Sequence, residues 1–206
     1  MLNEFSAAWN RLYNDHPSAY LTDSVTIAEE EEGAKNKTIT FHCPEVVSFP
    51  SKQFNGYDMF GALTDRNSDG ALLMSNPDGF CDLLYVEMKS RFSLQEIFKA
   101  KKQIVETCTK MQSLLQMMKD YAALPIKRIY GVIETKKLDD DQEAWWLKQQ
   151  MLPDEDLQFG ERLLKYKTIQ APTQCKHELN MPSEMTFKII LSDDANCTVN
   201  YNELRV

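Results

Sequence analysis

Apolar residues along this chain change period several times, and each change marks an element. Residues 3–14 (NEFSAAWNRLYN) bring Phe5, Trp9, Leu12 and Tyr13 near one face of a short amphipathic helix. The stretch SVTIAEEEEGAKNKTITFHC predicts two strands joined by an acidic turn around Gly33. Residues 44–68, with prolines at 44 and 50 and glycines at 56 and 61, predict irregular chain. GALLMSNPDGFCDLLYVEMKS predicts a hairpin, with strand 70–75, turn 76–79 and strand 80–90. Asn76-Pro77-Asp78-Gly79 is turn chemistry, with Pro at the second position and Gly at a left-handed one. Ser93-Leu94-Gln95-Glu96 fits a capping box. Leu94, Ile97, Phe98, Ile104, Val105, Cys108, Met111, Leu115 and Met118 then recur mostly at three- and four-residue steps, which predicts a helix to about Tyr121. A strand over 126–135 follows, then a helix with an acidic first turn over DDDQEAWWLKQQM. Strands are expected at 164–170 and 185–191, with another at CTVNYNEL. The order helix, strands, hairpin, helix, strand, helix, strands predicts one mixed α/β domain over residues 1–206.

Composition narrows the function classes. The chain has 206 residues, 43% of them hydrophobic, enough to build a core and to exclude global disorder. It has no apolar run of about 18 residues, and MLNEFSAAWNRLYND lacks the basic and apolar regions of a secretory signal, so a cytoplasmic protein without a membrane partner is expected. Five scattered cysteines (Cys43, Cys81, Cys108, Cys175, Cys197) fit reduced thiols better than a disulfide framework. The net charge of −8 argues against a nucleic-acid coat protein. Yet residues 87–137 hold eleven Lys/Arg against five Asp/Glu, a balance of +6 that leaves −14 for the remainder. Such a segment is either a phosphate-facing surface or a solvated helix face.

The strand over 80–90 ends in Glu87-Met88-Lys89. Alternate strand residues share a face, so Glu87 and Lys89 point together with Leu83 and Tyr85 behind them. A carboxylate and an ammonium at the end of a buried strand are costly unless paired or holding an ion. With a second acid nearby they suit Mg²⁺, and the lysine can orient water or stabilise phosphate charge. The plainer alternative is a strand emerging into solvent.

Asp69-Gly-Ala-Leu-Leu, a turn, Leu-Leu-Tyr-Val-Glu87-Met-Lys89-Ser-Arg, then a helix and the strand 126–135, resemble the PD-(D/E)XK nuclease superfamily, and VEMKSR resembles its Holliday-junction resolvase branch. The likeness covers roughly residues 60–135. It implies a restriction-endonuclease-like fold: a mixed central sheet flanked by helices, its core at about 60–137, with residues 1–59 and 138–206 as elaborations. It also implies Mg²⁺ or Mn²⁺ and hydrolysis of DNA phosphodiesters, with two acids on metal and Lys89 assisting the attacking water.

Three aspartates compete for the second acid. Asp78 lies in the turn, nine residues from Glu87 and so roughly 30 Å away along the strand. Asp82 has the wrong parity, sharing a face with Val86 and Met88. Asp69 fits: turn residues 76 and 79 or 80 make paired numbers sum to about 155–156, which sets Asp69 opposite 86–87, within one residue if a bulge intervenes. Glu4, on the first helix, is a further acid that the resemblance suggests. Gln103 matches a glutamine that some members carry after the motif. Lys99, Lys101 and Lys102 are phosphate-binding candidates, with a solvated face as the alternative. His16, His42 and His177 make no zinc spacing with the cysteines, and no nucleophile elbow or Gly-rich phosphate loop occurs. Trp145 and Trp146, on an acidic helix, are expected as core and interface anchors rather than base-stacking platforms. The expectation is therefore a metal-dependent DNA nuclease with Asp69, Glu87 and Lys89 as its centre, acting alone, as a homodimer or within a larger complex. A non-catalytic binding or interaction protein on the same fold, or an assembly subunit, is the alternative.

Overall fold

The computed structural model describes residues 2–12, 20–29, 38–50, 67–116, 126–139, 141–143, 145, 155–172 and 184–205. Along them run α1 (Leu2–Leu12), β1 (Tyr20–Ala28), β2 (Thr38–Pro50), β3 (Gly70–Ser75), β4 (Cys81–Lys89), α2 (Leu94–Gln116) and β5 (Ile126–Lys136). After these come α3 (Glu155–Tyr166), β6 (Thr168–Pro172), β7 (Glu184–Ser192), β8 (Asn196–Asn200) and the one-turn α4 (Tyr201–Leu204). The protein is α/β, and its described residues form one mixed sheet of eight strands flanked by helices, in the order β1-β2-β3-β4-β5-β7-β6 with β8 beside β2. Strands β1 to β4 are antiparallel neighbours, β4, β5 and β7 are parallel, and β6 returns antiparallel. No helix among the described residues is long and apolar enough to cross a membrane.

Turn chemistry fixes the central hairpin. The Asp78 N–H donates to Asn76 Oδ1 (2.9 Å), Gly79 N–H closes on Asn76 O (3.0 Å), and Gly79 has φ +80°, where a side chain would be strained. Helix α2 starts where its cap predicts, Ser93 Oγ accepting from the Glu96 N–H at 3.1 Å. Its apolar stripe, Ile97, Ala100, Ile104, Cys108 and Met111, joins Leu83 and Tyr85 of β4, Phe5 and Trp9 of α1, and Phe159 and Leu163 of α3 in one core. Trp9 meets Phe49 edge-on at 4.7 Å, seating α1 on this face. The opposite face carries a second core, in which Leu84, Val86 and Val132 pack with Ile27, Ile39, Phe41 and Val199, and with Tyr201 and Leu204 of α4.

Three expectations need correction. The irregular chain expected from residue 44 is instead the second half of β2, which runs through Pro44 to Pro50. Pro44 is tolerated because the β1–β2 register jumps from Thr22↔Val46 to Ser24↔His42 at that point. There β2 also changes its other neighbour, from β8 (residues 38–42) to β3 (residues 46–50), so the missing N–H interrupts no regular ladder. The strand expected at 164–170 begins only at Thr168; before it α3 ends on Lys167, a left-handed residue (φ +59°) whose N–H bonds Leu163 O at 2.8 Å. CTVNYNEL is half strand and half helix. The acidic turn at Gly33, the end of α2 near Tyr121, and most of the Trp145–Trp146 helix lie outside the described residues. Trp145 itself is exposed, with no core role. Cys43, Cys81, Cys108 and Cys197 are in no disulfide among the described residues.

Candidate active site

Hairpin register delivers the second acid. Gly70 pairs with Val86 and no bulge interrupts the ladder, so Asp69, one step before β3, faces Glu87. The Asp69 N–H donates to Glu87 Oε2 (3.2 Å), and the Met88 N–H donates to Asp69 Oδ2 (2.7 Å). Each carboxylate is thereby aimed by the other strand's backbone. Gly70 lets the hairpin sit against β1: a Cβ there would lie 2.9 Å from Ile27 Cγ1. Lys89 Nζ donates to Glu87 Oε1 (2.6 Å) and to Gln103 Oε1 of α2 (3.0 Å). The structure thus brings Asp69, Glu87, Lys89 and Gln103 into one cluster.

The electrostatics are those of crowded charge. Glu87 is 2% exposed. Burial, and next the Asp69 charge, push its pKa up to about 8 against the opposing pull of Lys89. Burial draws Lys89 down, but the charge and hydrogen bond of Glu87, with Asp69 and Glu96 behind, hold it above its ordinary value. Two carboxylates against one ammonium leave excess negative charge in a poorly hydrated place when all are ionised, the condition that a bound cation relieves. Beside the cluster opens a cleft of about 330 Å³ lined by Glu29, Lys89, Ser90, Arg91 and Glu96.

Sequence reasoning missed the clamp that holds Asp69. From α2, Gln103 Nε2 donates to Asn67 O (3.2 Å) and Lys110 Nζ to Asn67 Oδ1 (2.9 Å). Thr107 Oγ1 accepts from the Ser68 N–H (2.7 Å) and donates to Gln103 O (2.8 Å). Lys110 is 4% exposed, so this is no solvated lysine. The available signal was the spacing of Gln103, Thr107 and Lys110, a polar stripe at helical steps on a helix that otherwise buries its faces.

The remaining candidates lie apart. Glu4 is exposed in the first turn of α1 and is not among the charges acting on Glu87. Lys99 pairs with Glu96 at 2.6 Å, one turn before Gln103. Lys101 lies over Phe159 of α3 (4.8 Å) and Lys102 over Phe98 (4.4 Å), and neither lines the cleft that holds Lys89. Asp78 binds Arg205 Nη2 (2.8 Å) at the turn, and Asp82 accepts from Tyr201 on the other face. The basic segment does not form one patch: Lys127 opens β5 beside Asp78, while Lys136 closes the same strand at the Glu87 end.

No three His, Cys, Asp or Glu among the described residues gather as a metal group. Asp69 and Glu87 are a two-carboxylate set of hard oxygen donors. That set suits Mg²⁺ or Mn²⁺, since Mg²⁺ usually takes one or two carboxylates and completes its shell with water and substrate phosphate. No protein-family model, curated protein or solved structure matches this chain.

Proposed function

We propose that the chain is a divalent-metal-dependent phosphodiesterase acting on DNA, built on a restriction-endonuclease-like fold. The observation that carries this reading is the reciprocal Asp69–Glu87 pairing, with Lys89 held on Glu87 and lining the adjacent cleft. The hairpin β3–β4, the helix α2 after it and the parallel strand β5 follow the order that the resemblance implies, which supports the fold assignment. Asp69 and Glu87 would hold Mg²⁺ or Mn²⁺, which supplies Lewis-acid charge and lowers the pKa of bound water. Lys89, kept charged by Glu87 and steadied by Gln103, donates toward a phosphate oxygen as negative charge grows there. The Asn67–Thr107–Lys110 clamp keeps Asp69 in register with Glu87 while substrate binds.

A second reading, a non-catalytic binding or interaction protein or assembly subunit on the same fold, is favoured by the net charge of −8 and by the lack of a third metal-capable residue among those described. The deciding experiment incubates the protein with linear, branched and single-stranded DNA in Mg²⁺ or Mn²⁺. Cleavage by the wild type, lost in Asp69→Ala, Glu87→Ala and Lys89→Ala and kept in Asp78→Ala, supports the hydrolase. Excess metal partly rescues Asp69→Ala but not Lys89→Ala. A wild type inert on every substrate transfers the case to the interaction reading.

A further inference from the structure

A second cleft adjoins the reactive cluster rather than containing it. It is a cleft of about 600 Å³ whose lining includes Arg91, Phe92, Lys136, Lys137, Asp139 and Asp193. Topology places it. Parallel β4 and β5 bring Lys89 beside Thr135, and β5 and β7 bring Lys136 beside Ser192, so the next residues of all three strands emerge together. The Lys137 N–H closes on Ser192 O at 3.2 Å and ties the β5 and β7 ends. The cleft therefore sits outside the carboxyl ends of parallel strands, where open α/β sheets take their ligands. Arg91 lines both this cleft and the one beside Lys89, so the two join at that side chain.

Its charge differs from that of the rest of the basic segment. Lys89, Lys99, Lys110 and Lys127 are each engaged by a carboxylate or an amide oxygen. Arg91, Lys136 and Lys137 have no ion-pair partner among the described residues, and all three are exposed. Three cations face two rim carboxylates, Asp139 and Asp193, and Asp139 Oδ1 is turned to the Gln142 N–H at 2.8 Å. Phe92 packs one side against the α2-face core and lines the cleft with the remainder. Cations for phosphate beside an aromatic surface for a base are the two components of a single-strand site. A concave pocket of this volume takes a nucleotide whose base has left the stack, and not the side of an intact duplex.

We propose that this cleft holds the unpaired nucleotide flanking the scissile phosphate, and that the substrate is single-stranded DNA or the splayed end of a duplex. The phosphate lies against Arg91, Lys136 and Lys137, and the base against Phe92. Arg91 hands the backbone across to Lys89 and Glu87. This deepens the hydrolase reading and rests on it for the word substrate, but the cleft's affinity for an unpaired strand is testable by itself.

The test measures fluorescence anisotropy of a labelled oligodeoxythymidylate of about 20 nucleotides, and of its duplex, with Ca²⁺ in place of Mg²⁺, alongside cleavage in Mg²⁺. Single strand binds at least about tenfold tighter than duplex. The triple variant Arg91→Ala/Lys136→Ala/Lys137→Ala loses about 2 from the slope of log affinity against log salt. Phe92→Leu, which keeps apolar packing on the core, weakens single-strand binding about tenfold, and Phe92→Tyr restores it. Asp193→Asn tightens binding. Equal binding of single strand and duplex, with the triple variant unchanged, overturns the cleft while cleavage keeps the hydrolase. Binding that falls in the triple variant without cleavage of any strand keeps the cleft and overturns the hydrolase. Neither binding nor cleavage overturns both.

Discussion

Asp82 and Glu87 stand near opposite ends of β4, face opposite sides of the sheet, and are both almost fully buried. Asp82 is closed over by α4, and its hydrogen bonds come from neutral donors, with the Arg128 charge nearby: its Oδ2 accepts from the Tyr201 hydroxyl and, at 3.5 Å, from Asn76 Nδ2. Its Oδ1 has no hydrogen-bond partner among the described residues. Glu87 faces an ammonium and a second carboxylate, and that ammonium's residue, Lys89, lines a cleft. Burial is thus common to both and discriminates nothing. What separates them is unresolved like charge beside an opening at one end, against a closed set of neutral donors at the other. The first arrangement invites a cation and a ligand. The second ties the C-terminal helix and the hairpin turn to the sheet.

The largest effect that sharpens this contrast comes from Glu87→Gln, an isosteric change that removes one charge. On the proposed hydrolase reading cleavage falls by on the order of 10²–10³ or more, while the fold gains stability near neutral pH. Glu87 has a folded pKa of about 8, raised above its ordinary 4.5 by burial and by Asp69. The stability this group contributes is fully present below the unfolded value and is lost as pH rises through about 8. Metal-free wild type therefore loses on the order of a few kcal/mol between pH 4.5 and 8, and Glu87→Gln flattens that fall. Added Mg²⁺ raises the melting temperature of wild type at pH 8 but not that of the variant. Circular-dichroism melts across pH, with and without Mg²⁺, check each sign. A wild type whose melting temperature ignores pH over this window breaks the contrast.

An intermediate effect is expected at Lys110→Met, which keeps the stem packed and deletes the ammonium held by Asn67. Lys110 is bonded to Asn67, so its influence on the proposed metal site passes through the Asn67–Asp69 segment. Loss of such an outer support typically costs 10–100-fold in metal affinity. A Mn²⁺ titration followed by calorimetry reads this directly. Unchanged affinity in a folded variant would mean that the hydrogen bond between Met88 and Asp69 suffices to hold the second acid.

The legible parts of the fold and of this cluster are local. Asn76 to Gly79 sets the hairpin register, and register with strand parity brings Asp69 to Glu87 and sends Asp82 to the other face. The course of β2 could not be read this way. Pro44 signals a break, and only the change of neighbour from β8 to β3, with β8 more than 150 residues further along, makes a continuous strand acceptable there. Lys110 was opaque for a similar reason. In sequence it is one helix lysine among several, and it becomes buried only because residues 67–69 cross that turn of α2. Lys101 and Lys102 read as the same basic run but go to aromatic rings, since adjacent helix positions face different neighbours. The α3 signal, Phe159 with Leu163 four residues on, is present in the sequence, and Lys167 ends the helix by a backbone turn that its side chain does not announce.

The smallest effect expected is at the other end of β4. Burial and the Asp82 carboxylate hold the Tyr201 hydroxyl well above its ordinary pKa, so it remains a donor across the working range. Tyr201→Phe removes that donor and leaves Asp82 buried with the longer Asn76 contact. Orphaning a buried acceptor costs about 1–3 kcal/mol, seen as a lower urea midpoint with unchanged slope. Removing both partners is cheaper than removing one, so Asp82→Leu added to Tyr201→Phe recovers part of the loss, and the double-mutant cycle returns a coupling between them. Cleavage and Mn²⁺ affinity stay at wild-type values throughout, because Asp82 and Glu87 occupy opposite faces and share no partner. A folded Tyr201→Phe protein with cleavage reduced several-fold would show that the two acids act through one network, and that α4 belongs to the reactive end as much as to the closed one.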